Sequence, residues 1–115
     1  MDENKEGNMD YIMVFVTAPD EKTAAGIART IVEERLAACA NIVKDIRSIY
    51  RWQGKVEDEP EVLMIAKTRK GLFEALENRV RDMHPYEVPE IISAEVTQGS
   101  KPYLEWLSDA VEDSL

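Results

Sequence analysis

The chain has one histidine and one cysteine, so chemistry that needs an imidazole or a thiolate falls to His84 and Cys39. His84 opens the segment HPYEVPEI, in which Tyr86, Glu87 and Glu90 follow closely. A neutral imidazole beside carboxylates is a mixed nitrogen and oxygen donor set for a divalent cation. Asp82, just before the segment, adds a further carboxylate. Copper(II) heads the affinity order for such donors, and one imidazole with carboxylates holds an ion only weakly. Cys39 is the rival, softer ligand. It is equally well a small apolar filler between Ala38 and Ala40, since free cysteine is often core. His84-Pro85 is also sufficient as a helix stop, because proline lacks an N–H and disfavours helix at the residue before it. One histidine cannot build a multi-histidine site, but a symmetric assembly repeats it around its axis.

Two further groups have the right chemistry for recognition. Lys67 and Arg69 end an apolar run, while Tyr86 and Glu87 follow a helix. If the loop after that helix folds over the strand end, these four form a polar pocket for a small anionic ligand, or an ion pair between chains. Tyr50, Trp52, Tyr103 and Trp106 are the aromatic outliers. At a strand end and on a terminal helix, such residues are usually interface anchors, which predicts oligomerisation. No nucleophile and base stand close in sequence, so no enzymatic reaction and no organic cofactor is expected.

The elements that must position these residues follow from hydrophobic periodicity. YIMVFVT, Tyr11–Thr17, is short, continuous and β-branched, which suggests a strand buried on both faces. Asp20 caps a helix whose apolar stripe is Ala24, Ile27, Ala28, Ile31 and Leu36. NIVKDIRSIYRW alternates, with Ile42, Ile46, Tyr50 and Trp52 on one face and Val43, Arg47 and Ile49 on the other. Gln53-Gly54 is a tight turn, and KVEDEPEVLMIAKTR returns. Pro60 there fits an edge or a bulge, whereas Val62–Ala66 is continuously apolar and central. A second helix carries Leu72, Phe73, Leu76, Val80 and Met83 and stops at His84. A last strand spans Glu90–Gln98. A short helix capped by Ser100, with Pro102 in its first turn, closes the chain. The order β-α-β-β-α-β-α, with the most apolar strands first and third, predicts an α+β fold. It is a ferredoxin-like split βαβ sandwich with an antiparallel sheet and a C-terminal helix.

Length and charge set outer bounds. The 115 residues suit one domain, expected over residues 10–115, with the acidic residues 1–9 as a flexible tail. A formal charge of −9, from 23 acidic and 14 basic side chains, argues against nucleic acid as a partner. No apolar run approaches the roughly 20 residues that span a bilayer. The acidic N-terminus is unlike a leader, so the cytoplasm is the expected location.

Three segments together, EERLAACANI (Glu33–Ile42), IYRWQGKVEDEPEVLMIAKT (Ile49–Thr68) and HPYEVPEI, resemble the hallmarks of the CutA family of divalent-cation tolerance proteins. The resemblance covers Tyr11 to Val111. It implies a ferredoxin-like subunit in a tight homotrimer, linked to tolerance of divalent ions and notably copper, with no firmly attached enzymatic reaction. Cys39 matches the cysteine of the family's AAC motif. A single cysteine weakens a thiolate-rich copper site. Two alternatives to a metal-binding trimer remain, a regulatory trimer for small molecules and a trimer that anchors another protein.

Overall fold

The computed structural model describes residues 11–112, and the expected tail, residues 1–9, lies outside them. The elements are β1 (Tyr11–Ala18), α1 (Glu21–Glu33), β2 (Cys39–Trp52), β3 (Lys55–Arg69), α2 (Phe73–Met83), β4 (Ile91–Glu95) and α3 (Lys101–Val111). This is the order that periodicity predicts.

Local chemistry accounts for the helix ends. The Asp20 carboxylate accepts the Thr23 N–H at 2.8 Å, and Glu21 adds negative charge to the first turn of α1, complementing the helix dipole. The helix stops before Leu36. Arg35 adopts a φ of 62°, and the N–H groups of Leu36 and Ala37 both return to the Ile31 carbonyl, at 2.8 and 3.1 Å. Leu36 therefore leaves the helix yet still packs on the core. Arg35 Nη1 also donates to the carbonyls of Ala110 and Glu112 at 3.3 Å. The residue that ends α1 thus satisfies carbonyls at the end of α3, which have no helical partner. Ser100 stands at the N-cap of α3 but makes no side-chain capping bond.

The sheet order is β2-β3-β1-β4. β3 is antiparallel to both β1 and β2, and β4 is antiparallel to β1. α1 and α2 therefore each link two parallel strands with another strand between them, giving two split βαβ units. The most apolar strands, β1 and β3, are central as expected. On one sheet face Ile12, Val14, Val16, Met64 and Ala66 pack against Ile27 and Ile31 of α1 and Leu76 and Val80 of α2.

The other face corrects the expectation that β1 is buried on both sides. Met13, Phe15, Leu63 and Ile65 are only half-buried, and Ile92, paired with Phe15, is 57 % exposed. Only one end of this face is covered, where α3 packs Leu107 and Val111 on Tyr11 and Ala38. α1 and α2 both pack on the opposite face, so among the described residues this second face stays largely open.

The β2–β3 hairpin outgrows the sheet. β1 ends at Ala18, opposite Val62, so β3 from Lys55 to Glu61 pairs with β2 alone. At the point of departure Val43 opposes Leu63 and Ile46 opposes Glu61, leaving Lys44 and Asp45 against one residue. This is a β-bulge, with Asp45 at φ 63°. The extra residue shifts the side-chain phase. Ile42 lies across from Met64 on the helix side, whereas Ile46 lies across from Glu61 on the other face. The expected sharing of one face by Ile42, Ile46, Tyr50 and Trp52 therefore breaks at the bulge, and Val43 joins the face of Ile46. Pro60 pairs with Arg47 just beyond the bulge, where β3 has lost its β1 neighbour and a missing N–H is tolerated. Gln53 and Gly54 turn the hairpin with φ of 51° and 82°, the double positive φ of a I′ turn. The extents of 51 × 26 × 22 Å and radius of gyration of 15.3 Å exceed the ~13 Å of a compact 100-residue domain. The hairpin is an arm.

Thr68 is fully buried and donates to the Leu36 carbonyl at 2.8 Å. Thr68→Val keeps the shape and removes the donor, so it should cost about 1–2 kcal/mol, read as a lower urea midpoint at unchanged slope.

Candidate functional site

The residues of HPYEVPEI are organised by His84, which is 8 % exposed and stands at the C-cap of α2. Its backbone N–H returns to the Val80 carbonyl at 2.9 Å. Its Nε2 lies 2.7 Å from the Thr17 carbonyl, and the backbone N–H of Tyr86 reaches its Nδ1 at 3.1 Å. A carbonyl only accepts and an amide N–H only donates, so Nε2 carries the proton and Nδ1 is the acceptor. Neither nitrogen has a lone pair to spare. Thr17 lies just past the last β1–β4 pair, Val16 with Ile91, so the imidazole supplies a donor where the sheet stops supplying one.

Tyr86 extends the chain of contacts. Its ring packs on the His84 ring with centroids 4.7 Å apart, and its hydroxyl donates to Glu61 Oε2 at 2.7 Å. Glu61 is 7 % exposed and is the first residue of the arm on β3. Burial, then the hydrogen bond to Glu61, raises the Tyr86 phenol well above the usual range. Tyr50 faces the same stripe of β3, and burial and the charges of Glu59, Glu61 and Glu57 raise its phenol too. A hydrogen bond to a buried carboxylate is worth about 1.5–3 kcal/mol. The exposed Lys44–Glu21 pair beside it, at 3.9 Å, contributes about 0–1 kcal/mol. The phenol–carboxylate bond is the stronger tie between body and arm.

The structure separates the other candidates. Cys39 lies on β2 opposite Lys67, while Thr17, which holds His84, lies opposite Leu63. Four residues along a strand is about 13 Å, so Cys39 and His84 occupy opposite ends of the sheet. Cys39 Sγ is 3.7 Å from the Tyr103 hydroxyl; burial, then this contact, raises the Tyr103 phenol. Glu87, Glu90 and Asp82 are exposed. Among the described residues, no three His, Cys, Asp or Glu side chains gather closely enough to hold a metal ion. The donor set expected from spacing does not fit a cation within one chain, because the tertiary hydrogen bonds have already engaged His84.

The expected convergence of Lys67, Arg69, Tyr86 and Glu87 does not form either. Tyr86 turns to Glu61, towards the arm, whereas Lys67 and Arg69 lie at the α3 end. There Lys67 donates to Asn41 Oδ1 at 2.6 Å. Arg69 donates to Ser108 Oγ at 3.2 Å and lies over the Tyr11 ring at 5.2 Å. Of the aromatics, Tyr50 and Trp52 are on the arm, and Tyr103 and Trp106 stack at 5.4 Å on the outer side of α3. All four are exposed. Glu61 escaped the sequence reading. Its signal was its place after Pro60, at the border between the acidic and the apolar halves of β3.

A four-stranded antiparallel sheet backed by two helices, with a third helix across one end, defines a ferredoxin-like α+β domain. This one carries a projecting arm tied at its base. Residues 12–110 match the profile described as CutA1 divalent ion tolerance protein, and the chain belongs to that family. It is 52 % identical over 104 residues to Protein CutA of Homo sapiens, covering 88 % of this chain and 58 % of the relative. It thus spans little more than half of that protein. The structure is similar to the divalent cation tolerance protein of Thermus thermophilus, with a TM-score of 0.85 at 46 % identity over 87 % of this chain and 97 % of the other. It is also similar to a CutA of Archaeoglobus fulgidus described as periplasmic, with a TM-score of 0.86 at 37 % identity over 89 % and 99 % of the two chains. None of these descriptions names an enzymatic activity. No helix among the described residues is long and apolar enough to cross a membrane.

Two outcomes check the assignment of His84 and Tyr86. His84→Ala leaves the Thr17 carbonyl and the Tyr86 N–H unmet and should cost about 1–3 kcal/mol in urea unfolding. His84→Gln, which can both donate and accept, should lose less. The raised Tyr86 phenol favours the folded state fully below about pH 10, and that stability drains away as pH rises through the folded value. In absorbance titration the last tyrosine to ionise should vanish in Tyr86→Phe.

Proposed function

We propose that the chain acts as a homotrimeric divalent-cation tolerance protein that recruits divalent ions, copper(II) above the others, weakly and at positions shared between copies. One observation carries this reading. A chain of the divalent ion tolerance family leaves an apolar sheet face and an apolar arm uncovered, with Ile49 and Val56 each 63 % exposed. A bare strand edge with apolar faces is an aggregation template unless another chain covers it. In the assembly we propose, the arm meets a different patch on its neighbour in a head-to-tail contact that closes into a ring. A ring of three accords with the family resemblance.

The same geometry directs the metal reading to subunit boundaries. Glu87 and Glu90 keep their oxygens in solvent, and Cys39 is a free, half-exposed thiol. Symmetry would multiply these donors, whereas His84 would join them only by giving up a hydrogen bond. The cytoplasm, which keeps such a thiol reduced, is the location we propose.

Light scattering at micromolar concentration should give the mass of three chains, and Trp52→Ala should shift it downwards; a monodisperse monomer would end the assembly reading. Calorimetric titration with copper(II) should show weak binding that is lost in the Glu87→Gln/Glu90→Gln double variant and kept in Cys39→Ser. The reverse pattern places the ion at the thiol, and binding unchanged in both variants removes it from these residues.

A further inference from the structure

We infer that the His84–Tyr86–Glu61 chain is a brace that aims the arm, and that assembly with a second copy depends on it. This rests on the trimer reading above. The β1 strand ends at Ala18, opposite Val62. Beyond that point β3 is held only by β2, through a bulge whose Asp45 sits at a φ of 63°. A two-stranded ribbon leaving a sheet at a bulge bends there and has lost the neighbouring strand that would fix its direction.

The brace is continuous from the body outwards. The end of α2 holds His84 through Val80, at 2.9 Å, and β1 holds its ring through Thr17, at 2.7 Å. His84 then fixes Tyr86 by accepting its N–H at 3.1 Å and by the ring contact at 4.7 Å. Tyr86 fixes the arm by donating to buried Glu61 at 2.7 Å. Beside it stands the exposed Lys44–Glu21 pair at 3.9 Å.

Leverage makes this bond matter for assembly. From Glu61 to the hairpin turn is roughly 20 Å of extended chain. A swing of about 10° at the base moves the tip by roughly 3.5 Å, about one strand residue. That sideways shift is a large part of the roughly 4.8 Å between paired strands, enough to pull the tip off its contacts on a neighbour's surface. Tyr86, Glu61 and His84 are therefore positioning residues for the interface, although none of them needs to touch the second copy.

The test compares Tyr86→Phe with Glu61→Gln, in which the amide oxygen still accepts from the phenol. Sedimentation over a dilution series should show the dissociation constant raised at least tenfold in Tyr86→Phe and within about threefold of wild type in Glu61→Gln. Far-UV circular dichroism should show the same folded subunit in both. Spin labels at Ala25→Cys and Lys55→Cys in a Cys39→Ser background, diluted with unlabelled chain, should give one narrow distance that broadens in Tyr86→Phe. Wild-type assembly in Tyr86→Phe, an unbroadened distance, or outright unfolding of that variant overturns the brace. If the wild-type chain is itself a monomer, the assembly reading falls together with the dependence proposed here, and the distance distribution alone decides whether Tyr86 aims the arm.

Discussion

The architecture follows from a mismatch in strand length. β1 runs from Tyr11 to Ala18 and its neighbour β3 from Lys55 to Arg69, so half of β3 has no β1 beside it. The bulge, Pro60 and the buried Glu61 gather where the two part. The bulge at Lys44-Asp45 lets the ribbon leave the sheet at a new angle, and Pro60 stands where its missing N–H is tolerated. Glu61, the first side chain beyond the sheet, is buried and so requires a donor, which Tyr86 supplies. The elongated shape and the exposed apolar residues of the arm follow from the same mismatch.

The post-helix segment shows how one set of residues can suit two chemistries while the fold selects one. His84, Glu87 and Glu90 have the donor types for a divalent ion. In the folded chain the imidazole is spent between a carbonyl and an amide, and the carboxylates point to solvent. A buried imidazole with both nitrogens engaged is a fixed, oriented group, and removing either partner would leave a buried polar atom unmet. The cost of freeing it for a metal is what separates a structural histidine from a ligand. Glu87 and Glu90, by contrast, are exposed.

The opposite end of the sheet is closed by a different device. Tyr11 shares a hydrogen bond of 2.7 Å with Ser108, and Arg69 donates to the same hydroxyl. Arg35 satisfies the last carbonyls of α3. These polar contacts orient the short α3 over Tyr11 and Ala38, while Leu107 and Val111 supply its apolar burial. The molecule thus has one sealed end, one braced end, and a half-covered apolar face between them.

Periodicity alone determined the element order, the central position of β1 and β3 and the cap at Asp20, because these depend on side-chain spacing and on bonds within a few residues. The resemblance of three segments to the CutA family was equally legible. The end of α1 was not, since Arg35 takes a left-handed conformation that its residue type does not announce. Nor was the phase of β2, because a bulge is set by the partner strand and one extra residue reverses every face beyond it. The partner of Tyr86 was out of reach for the same reason. Lys67, Arg69 and Glu61 all lie on β3, and only the placement of the loop after α2 decided that the phenol meets the carboxylate. Likewise His84 is a donor or a ligand according to what stands beside its nitrogens, and Thr17, 67 residues away in sequence, was put there by the fold.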